Sequence, residues 1–192
     1  MRSYPIVSII VMINIILWFL MSFDFGKSIF VWGVGHNASI HLFDQYWRLV
    51  TPVFLHLDLT HMVFNSFALV LFGPALERMI GKTKFVILYL LTGIIGEVGT
   101  YIIAPTSNTT HLGASGAIYG LFGIYLFMVF LRKHLISRTD AQIVGTIFAI
   151  GLIMTFIDSG INKAAHIFGF IGGFAIAPLV LNNLRRFHGR YR

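Results

Sequence analysis

The stretch Gly113-Ala114-Ser115-Gly116-Ala117-Ile118-Tyr119-Gly120 places one serine among small residues, where a polar loop becomes an apolar helix. Residues 105–111 before it are rich in turn formers and hydroxyls, whereas residues 117–131 carry no charge. Gly116, Gly120 and Gly123 recur at i, i+4 and i+7, so neighbouring helices can approach one face closely. The serine is therefore either a nucleophile at the mouth of a membrane helix or one more small packing residue.

The composition around this stretch is that of a membrane protein. Of 192 residues, 57% are hydrophobic and 11% are charged. A helix that crosses a bilayer core of ~30 Å needs roughly 20 mostly apolar residues. We therefore predict an all-α bundle of six transmembrane helices in a single domain over residues 1–192. The predicted helices are approximately 4–23, 59–76, 85–104, 116–131, 141–157 and 164–184, with a long loop at 24–58.

The distribution of cationic residues predicts the orientation of this bundle. Short cytoplasmic loops carry the excess of Lys and Arg, and 11 of the 14 fall at the two ends and in alternate loops: Arg2, Arg78, Lys82, Lys84, Arg132, Lys133, Arg138, Arg185, Arg186, Arg190 and Arg192. Only Lys27, Arg48 and Lys163 occupy the other loops. We expect both termini in the cytoplasm, the long loop at the outer interface, and a multi-pass protein of the cell membrane in contact with the lipid bilayer.

Charge and cysteine content exclude several classes of function. The net charge of +7 is explained by membrane topology, so we expect no nucleic-acid partner. The chain has no cysteine, which excludes disulfides and thiol catalysis. Nothing in the sequence indicates an oligomeric state.

The second predicted helix opens with a group of polar side chains. His61 and Asn65 are four residues apart and share one helical face, with Asp58 or Thr60 as the N-cap and His56 outside the helix. An intramembrane histidine is compatible with a satisfied core residue, a haem ligand or a metal ligand. The zinc-protease pattern of two histidines at i and i+4 with a glutamate between them does not occur.

The later helices differ in their polar content. Glu97 is an ionisable residue inside the third helix, for which we expect a structural or hydrogen-bonding role because no base or ligand is spaced with it. The fifth helix has few polar side chains and resembles a wall or gate. In the sixth, His166, Gly169 and Gly173 lie at i, i+3 and i+7, and this face is expected to meet the serine helix.

Topology brings these residues into one layer of the membrane. The second, fourth and sixth helices start on the outer side if the N-terminus is inside. His61, Asn65, Ser115 and His166 lie near those three starts. A hydroxyl, a base and a pair of donors are what acyl transfer requires, so the sequence favours catalysis by an activated serine.

The chain resembles the rhomboid family of intramembrane serine proteases over most of its length. The matching motifs are Trp47-Arg48, His56 with His61 and Asn65, Glu77-Arg78 followed by Gly81, Gly113-x-Ser115-Gly116 with Tyr119, and Ala165-His166 with Gly169 and Gly173. Their order and spacing are those of the family.

This resemblance implies a function and a role for each site residue. Ser115 would be the nucleophile and His166 its base, without a third acid. His61, Asn65 and the backbone at Ser115 would form the oxyanion hole, and Tyr119 would stack against His166. The expected substrates are transmembrane segments of single-span proteins cut near the outer face, with no metal and no cofactor. The alternatives are an inactive relative that binds membrane proteins, and a haem or metal carrier ligated by histidines.

Overall fold

The computed structural model describes residues 4–182 and 184. Within them the chain forms eight α-helices and one two-stranded antiparallel sheet. The helices are α1 Pro5–Met21, α2 Lys27–Gly33, α3 Asn37–Phe43, α4 Leu59–Ile80, α5 Lys82–Ile103, α6 Ser115–Leu131, α7 Arg138–Ile157 and α8 Lys163–Val180. The strands are β1 Gly35–His36 and β2 Thr110–His111. The predicted all-α class is confirmed.

Each of the six predicted apolar runs forms a helix, but several ends differ. Helix α4 continues to Ile80 and α5 begins at Lys82. Both helices are longer than predicted because the prediction used uncharged runs, and each helix also includes a turn with charged residues. The two helices are separated by Gly81 alone, whose φ of 86° is a conformation that L side chains rarely adopt. Helix α8 ends at Val180 instead of residue 184.

Four helices in the described part of the chain are long and apolar enough to cross a membrane, namely α4, α5, α7 and α8. A fifth candidate is α1 taken together with the segment Asp24–Gly33, which bends from it by 113°. Helix α6 is apolar but has only 17 residues. The number of six spans and the cytoplasmic termini therefore stay predictions, and the terminal cations Arg2, Arg185, Arg186, Arg190 and Arg192 lie outside the described residues.

The predicted loop 24–58 between the first two long helices is itself largely helical. It contains α2, α3 and three short 3₁₀ turns. Arg48 holds this segment together from a buried position, since its guanidinium donates to the carbonyl oxygens of Val34 at 2.6 Å and Val31 at 2.9 Å and to Gln45 Oε1 at 2.6 Å. Trp47 stacks on Trp32 with ring centroids 5.4 Å apart. The Trp47-Arg48 pair therefore has a structural role in the segment 24–58.

Helix α6 is the centre of the bundle, with most of its side chains buried. Glycines in both helices allow the backbone of α8 to contact the backbone of α6. A Cβ added at Gly169 would meet the carbonyl of Gly116, and one added at Gly173 would meet the carbonyl of Gly120. The predicted contact between the two glycine-lined faces is confirmed.

Helix α1 is attached to α4 by a carboxylate from the Glu77-Arg78 motif. The buried side chain of Glu77 accepts hydrogen bonds from the backbone N–H groups of Ile6 at 3.1 Å and Val7 at 2.9 Å. These donors lie in the first turn of α1, where helical N–H groups lack partners within the helix. Arg78 donates to the carbonyl of Pro74 on its own helix at 3.1 Å.

Helix α7 lies at the edge of the bundle. Val144 and Thr155 are its only buried residues, and most of its other apolar side chains are exposed. It contacts α6 and α8. A helix with so few buried side chains is held by little packing.

Candidate active site

The first turns of α4, α6 and α8 surround an open cavity of about 980 Å³. His61 and Asn65 reach it from α4, Ser115 from α6 and His166 from α8. His111 lines it from strand β2, and Asp158 lines it from the end of α7. The four polar residues that topology assigned to one layer therefore share one cavity.

Ser115 is the first residue of α6, and the loop before it is fixed by backbone hydrogen bonds. Gly113 N–H donates to the carbonyl of Pro52 at 2.9 Å, and Ala114 N–H donates to Nε2 of His56 at 3.4 Å. Gly113 has a φ of 129°, and a Cβ there would lie 2.7 Å from the ring of His61. Glycine at this position satisfies both the backbone conformation and the space left by the histidine.

His56 holds this loop from behind. It is fully buried, and its ring meets that of His61 edge to face at a centroid distance of 5.1 Å. Burial, and then repulsion from a charged His61, lower the pKa of His56 to about 4. The ring is therefore neutral at neutral pH, with one nitrogen able to accept the Ala114 N–H bond.

The side chains of His61 and Asn65 are set by the start of α4. Asp58 caps this helix, since its Oδ1 accepts from the N–H of His61 at 2.7 Å, which confirms one of the two predicted caps. Asn65 Nδ2 donates to the carbonyl of His61 at 2.9 Å. An amide nitrogen carries two hydrogens, so one N–H of Asn65 is left for another acceptor.

His166 lies one turn into α8, beside the phenol of Tyr119. The two rings stack with centroids 3.9 Å apart and planes 15° from parallel. Asn162 caps the helix by accepting from the N–H of Ala165 at 3.1 Å, and Thr100 of α5 donates to the same Asn162 oxygen at 3.1 Å. Among the described residues no hydrogen bond joins Ser115 Oγ to His166 Nε2, although both side chains line the cavity.

Thr155 of α7 is a site residue that the sequence reasoning missed. Its Oγ1 lies 2.8 Å from Nδ1 of His166 and 2.7 Å from the hydroxyl of Tyr119, and it donates to the carbonyl of Gly151 at 2.8 Å. It is fully buried. Helix α7 is therefore more than a wall, because it contributes a buried side chain that contacts His166. The sequence feature that could have indicated this role is the single hydroxyl side chain, Thr155, in the otherwise apolar last turns of α7.

A second contact that the sequence did not predict joins a buried carboxylate on α5 to an imidazole before Ser115. Glu97 Oε2 lies 2.8 Å from Nδ1 of His111, and Nε2 of His111 lies 3.1 Å from Oδ1 of Asn37. Asn37 Nδ2 in turn donates to the carbonyls of Thr100 and Ala104. This contact agrees with the expected structural or hydrogen-bonding role of Glu97, and it forms because β1 and β2 pair and bring His111 over α5.

No cluster of three or more His, Asp or Glu side chains in residues 4–182 and 184 is arranged to hold a metal ion. Ser115, the histidines His61 and His166, and Asn65 bring a hydroxyl, two imidazoles and an amide to the cavity. This set is suited to nucleophilic attack, proton transfer and hydrogen bonding to an oxyanion.

Comparison with known proteins agrees with this chemistry. The family model described as the rhomboid domain matches residues 44–183. The chain is 43% identical over 188 residues to the rhomboid-family protein YdcA of Bacillus subtilis (strain 168), covering 96% of this chain and 93% of YdcA. It is 34% identical to the rhomboid protease GluP of the same organism over 86% of this chain, and 33% identical to rhomboid-like protease 1 of Toxoplasma gondii over 70%.

The alignment spans about a third of GluP and about half of the Toxoplasma protein, at 32% and 47% of their lengths. With YdcA it covers nearly both chains. The fold is that of a multi-pass helical membrane protein, and its cavity holds a serine at the start of the central helix α6. The chain belongs to the rhomboid family of intramembrane serine proteases, which confirms the resemblance seen in the sequence motifs.

Proposed function

We propose that this protein is an intramembrane serine endopeptidase that cleaves transmembrane segments of single-span membrane proteins near the outer face, with Ser115 as nucleophile and His166 as base. One observation carries the proposal. The starts of three helices bring Ser115, His166 and the pair His61 and Asn65 around a single cavity. A merely structural serine does not require a histidine and an amide on the same cavity wall.

Each cavity residue then has a chemical task. Ser115 Oγ attacks the peptide carbonyl while Nε2 of His166 takes its proton. The resulting oxyanion accepts hydrogen bonds from the free N–H of Asn65, from His61 and from the backbone N–H of Ser115. Its collapse breaks the peptide bond, and His166 returns the proton to the leaving amine. A water molecule activated by the same histidine hydrolyses the acyl-enzyme.

The proposed topology is a single domain with six spans, cytoplasmic termini and a site near the outer side of the cell membrane. Helix α6 has 17 residues, which corresponds to about 25 Å at a rise of about 1.5 Å per residue. This is shorter than a hydrocarbon core of ~30 Å. If the C-terminal end of α6 lies at the inner interface, Ser115 at its other end lies below the outer surface, where the open cavity admits water.

We further propose that substrates enter beside α7. This helix buries only Val144 and Thr155 in the described structure, so moving it disrupts little packing. Substrate helices with Gly, Pro or polar residues near the outer face would unwind most readily there. A disulfide engineered between α7 and α4 should block cleavage of a transmembrane substrate until it is reduced. Unchanged cleavage with the disulfide formed would exclude this route.

The function is tested with purified enzyme in liposomes that contain one single-span substrate. A fluorophosphonate probe should label the wild type but not Ser115→Ala, and neither Ser115→Ala nor His166→Ala should cleave the substrate. Ser159→Ala is the matched control, because this serine lines the same cavity and should label and cleave like the wild type. Strong chelators should leave activity intact. Cleavage by Ser115→Ala would refute the proposal, and loss of activity with chelators would favour a metal-dependent reaction.

A further inference from the structure

We propose that Thr155 is a positioning residue for the base: it holds His166 in the tautomer that carries its proton on Nδ1 and leaves Nε2 free to accept the proton of Ser115. This inference rests on the proposed function, since it concerns the same base. No family motif in the sequence includes Thr155.

The inference starts from the three contacts of one buried hydroxyl. Thr155 Oγ1 lies 2.8 Å from the carbonyl oxygen of Gly151, 2.7 Å from the hydroxyl of Tyr119 and 2.8 Å from Nδ1 of His166. The side chain is fully buried, so these three groups surround the oxygen in place of bulk water. A threonine hydroxyl offers one donor hydrogen and two acceptor lone pairs.

Counting protons assigns the direction of each bond. A carbonyl oxygen can only accept, so two oxygens 2.8 Å apart at Gly151 and Thr155 require the threonine proton between them. The single hydroxyl proton of Thr155 is therefore not available for the other two contacts. The other two contacts must receive their hydrogens from the partner, which makes the Tyr119 hydroxyl and the Nδ1–H of His166 the donors.

The consequence for catalysis concerns the other nitrogen of the imidazole. A neutral histidine carries one proton, so a proton on Nδ1 leaves a lone pair on Nε2. A general base for Ser115 needs that lone pair, and a histidine in the wrong tautomer cannot accept the serine proton. In the described site, no carboxylate lies within hydrogen-bonding distance of His166 Nδ1. The neutral hydroxyl of Thr155 therefore orients the imidazole in place of a carboxylate.

Thr155 also connects the base to α7. Tyr119 and His166 lie on α6 and α8, which pack closely through their glycine faces, whereas Thr155 lies on the weakly packed helix. Displacement of α7 would remove the acceptor for Nδ1–H. The base is thus correctly oriented when α7 lies against α6 and α8, and loses this support when α7 moves away.

The test uses the full chain reconstituted in liposomes, with Thr155→Val as the isosteric variant without a hydroxyl and Thr155→Ser as the conservative one. We expect Thr155→Val to lower kcat about tenfold with an unchanged KM, as for loss of one buried hydrogen bond. Thr155→Ser should recover most of this loss. Thr146→Val is the matched control, since Thr146 is an exposed threonine of the same helix and should behave as the wild type.

A spectroscopic measurement separates positioning from a merely structural role. With ¹⁵N-labelled histidine, and the His166 signals assigned by their loss in His166→Ala, wild-type protein should show the proton on Nδ1. Thr155→Val should show a shift toward the Nε2–H tautomer. A resting enzyme with Nε2–H would overturn the proposal, even if Thr155→Val does not fold. So would a folded Thr155→Val with wild-type kcat and tautomer.

The result also distinguishes this inference from the function on which it rests. If wild type cleaves, Ser115→Ala does not, and Thr155→Val equals wild type, only the role of Thr155 is refuted. If Ser115→Ala still cleaves, the serine mechanism fails, and with it any role of Thr155 in orienting a base.

Discussion

The imidazole of His166 lies nearly flat on the phenol of Tyr119, with ring centroids 3.9 Å apart and planes at 15°. Tyr119 is one turn beyond Ser115 on α6, so the helix that carries the serine also supports one face of the histidine. Thr155 contacts both residues through their polar edges. The ring of His166 is therefore constrained on its face by packing and on its edge by a hydrogen bond.

Replacing Tyr119 should separate these two constraints. Tyr119→Phe keeps the stacked ring and removes the bond to Thr155, so we expect a loss of only a few-fold in kcat. Tyr119→Leu removes the aromatic face, and the loss should reach about tenfold, as expected for an aromatic pair. Cleavage kinetics in liposomes measure both, with the exposed Tyr46→Leu as control. Equal activity in Tyr119→Leu and wild type would show that stacking does not orient the base.

Asn65 should act on the transition state more than on substrate binding. Loss of one donor to a developing oxyanion typically costs ~10²- to 10³-fold in rate. We expect Asn65→Ala to lower kcat in this range with little change in KM, and to retain measurable activity. His61→Ala should behave similarly, and the double variant should lose less than the product of the two, because the backbone N–H of Ser115 is still present.

The exposed Asn108→Ala serves as the control for this experiment. A change confined to KM in Asn65→Ala would indicate that this face binds substrate. Wild-type kinetics in the double variant would exclude both side chains from the oxyanion hole.

The contact between α6 and α8 should not tolerate a methyl group. A Cβ at Gly173 would meet the backbone carbonyl of Gly120, which cannot move without displacing α6. Gly173→Ala should therefore destabilise the bundle by about 1–3 kcal/mol, measured as the free energy of unfolding in detergent. Gly145→Ala is the matched control, because nothing lies within 4 Å of the added Cβ. Equal stability of the two variants would contradict this description of the interface.

The Glu97 and His111 pair should stabilise the loop that precedes Ser115. Glu97→Ala leaves the buried Nδ1 of His111 without its partner, and an unsatisfied buried polar group costs about 1–3 kcal/mol. Glu97→Gln keeps a carbonyl oxygen that can accept from Nδ1–H, so its loss should be smaller. The double variant Glu97→Ala, His111→Ala should be less than additive in unfolding free energy, since both changes remove the same contact. Strict additivity would show that the pair is not coupled.

Much of the fold could be predicted because its causes are local. The apolar runs identify the long helices, since a membrane requires each span to satisfy its own backbone hydrogen bonds. Glycines at helical spacing indicated which faces of α6 and α8 meet. Asp58 has the residue type and position of an N-cap. The candidate residues at the starts of three helices followed from topology, because alternate helices must begin on the same side of the membrane.

Other features depended on contacts that no short segment encodes. The segment 24–58 folds into helices around Arg48, whose acceptors are backbone carbonyls 14 and 17 residues away. The partner of Glu97 became available only when two distant loops paired as β1 and β2. Periodicity cannot report such pairings, because it describes one element at a time.

Hydrophobicity and residue spacing were enough to predict the membrane class and the long helices, and the side-chain types that acyl transfer needs were enough to choose the candidate site residues. Which polar groups come into contact depends on how the helices pack. Thr155 became a partner of His166 because α7 turns back against α8 and aims one buried hydroxyl at one ring nitrogen. A hydrogen bond forms only within a few tenths of an ångström of its ideal length, and that distance is set by the packing of whole helices.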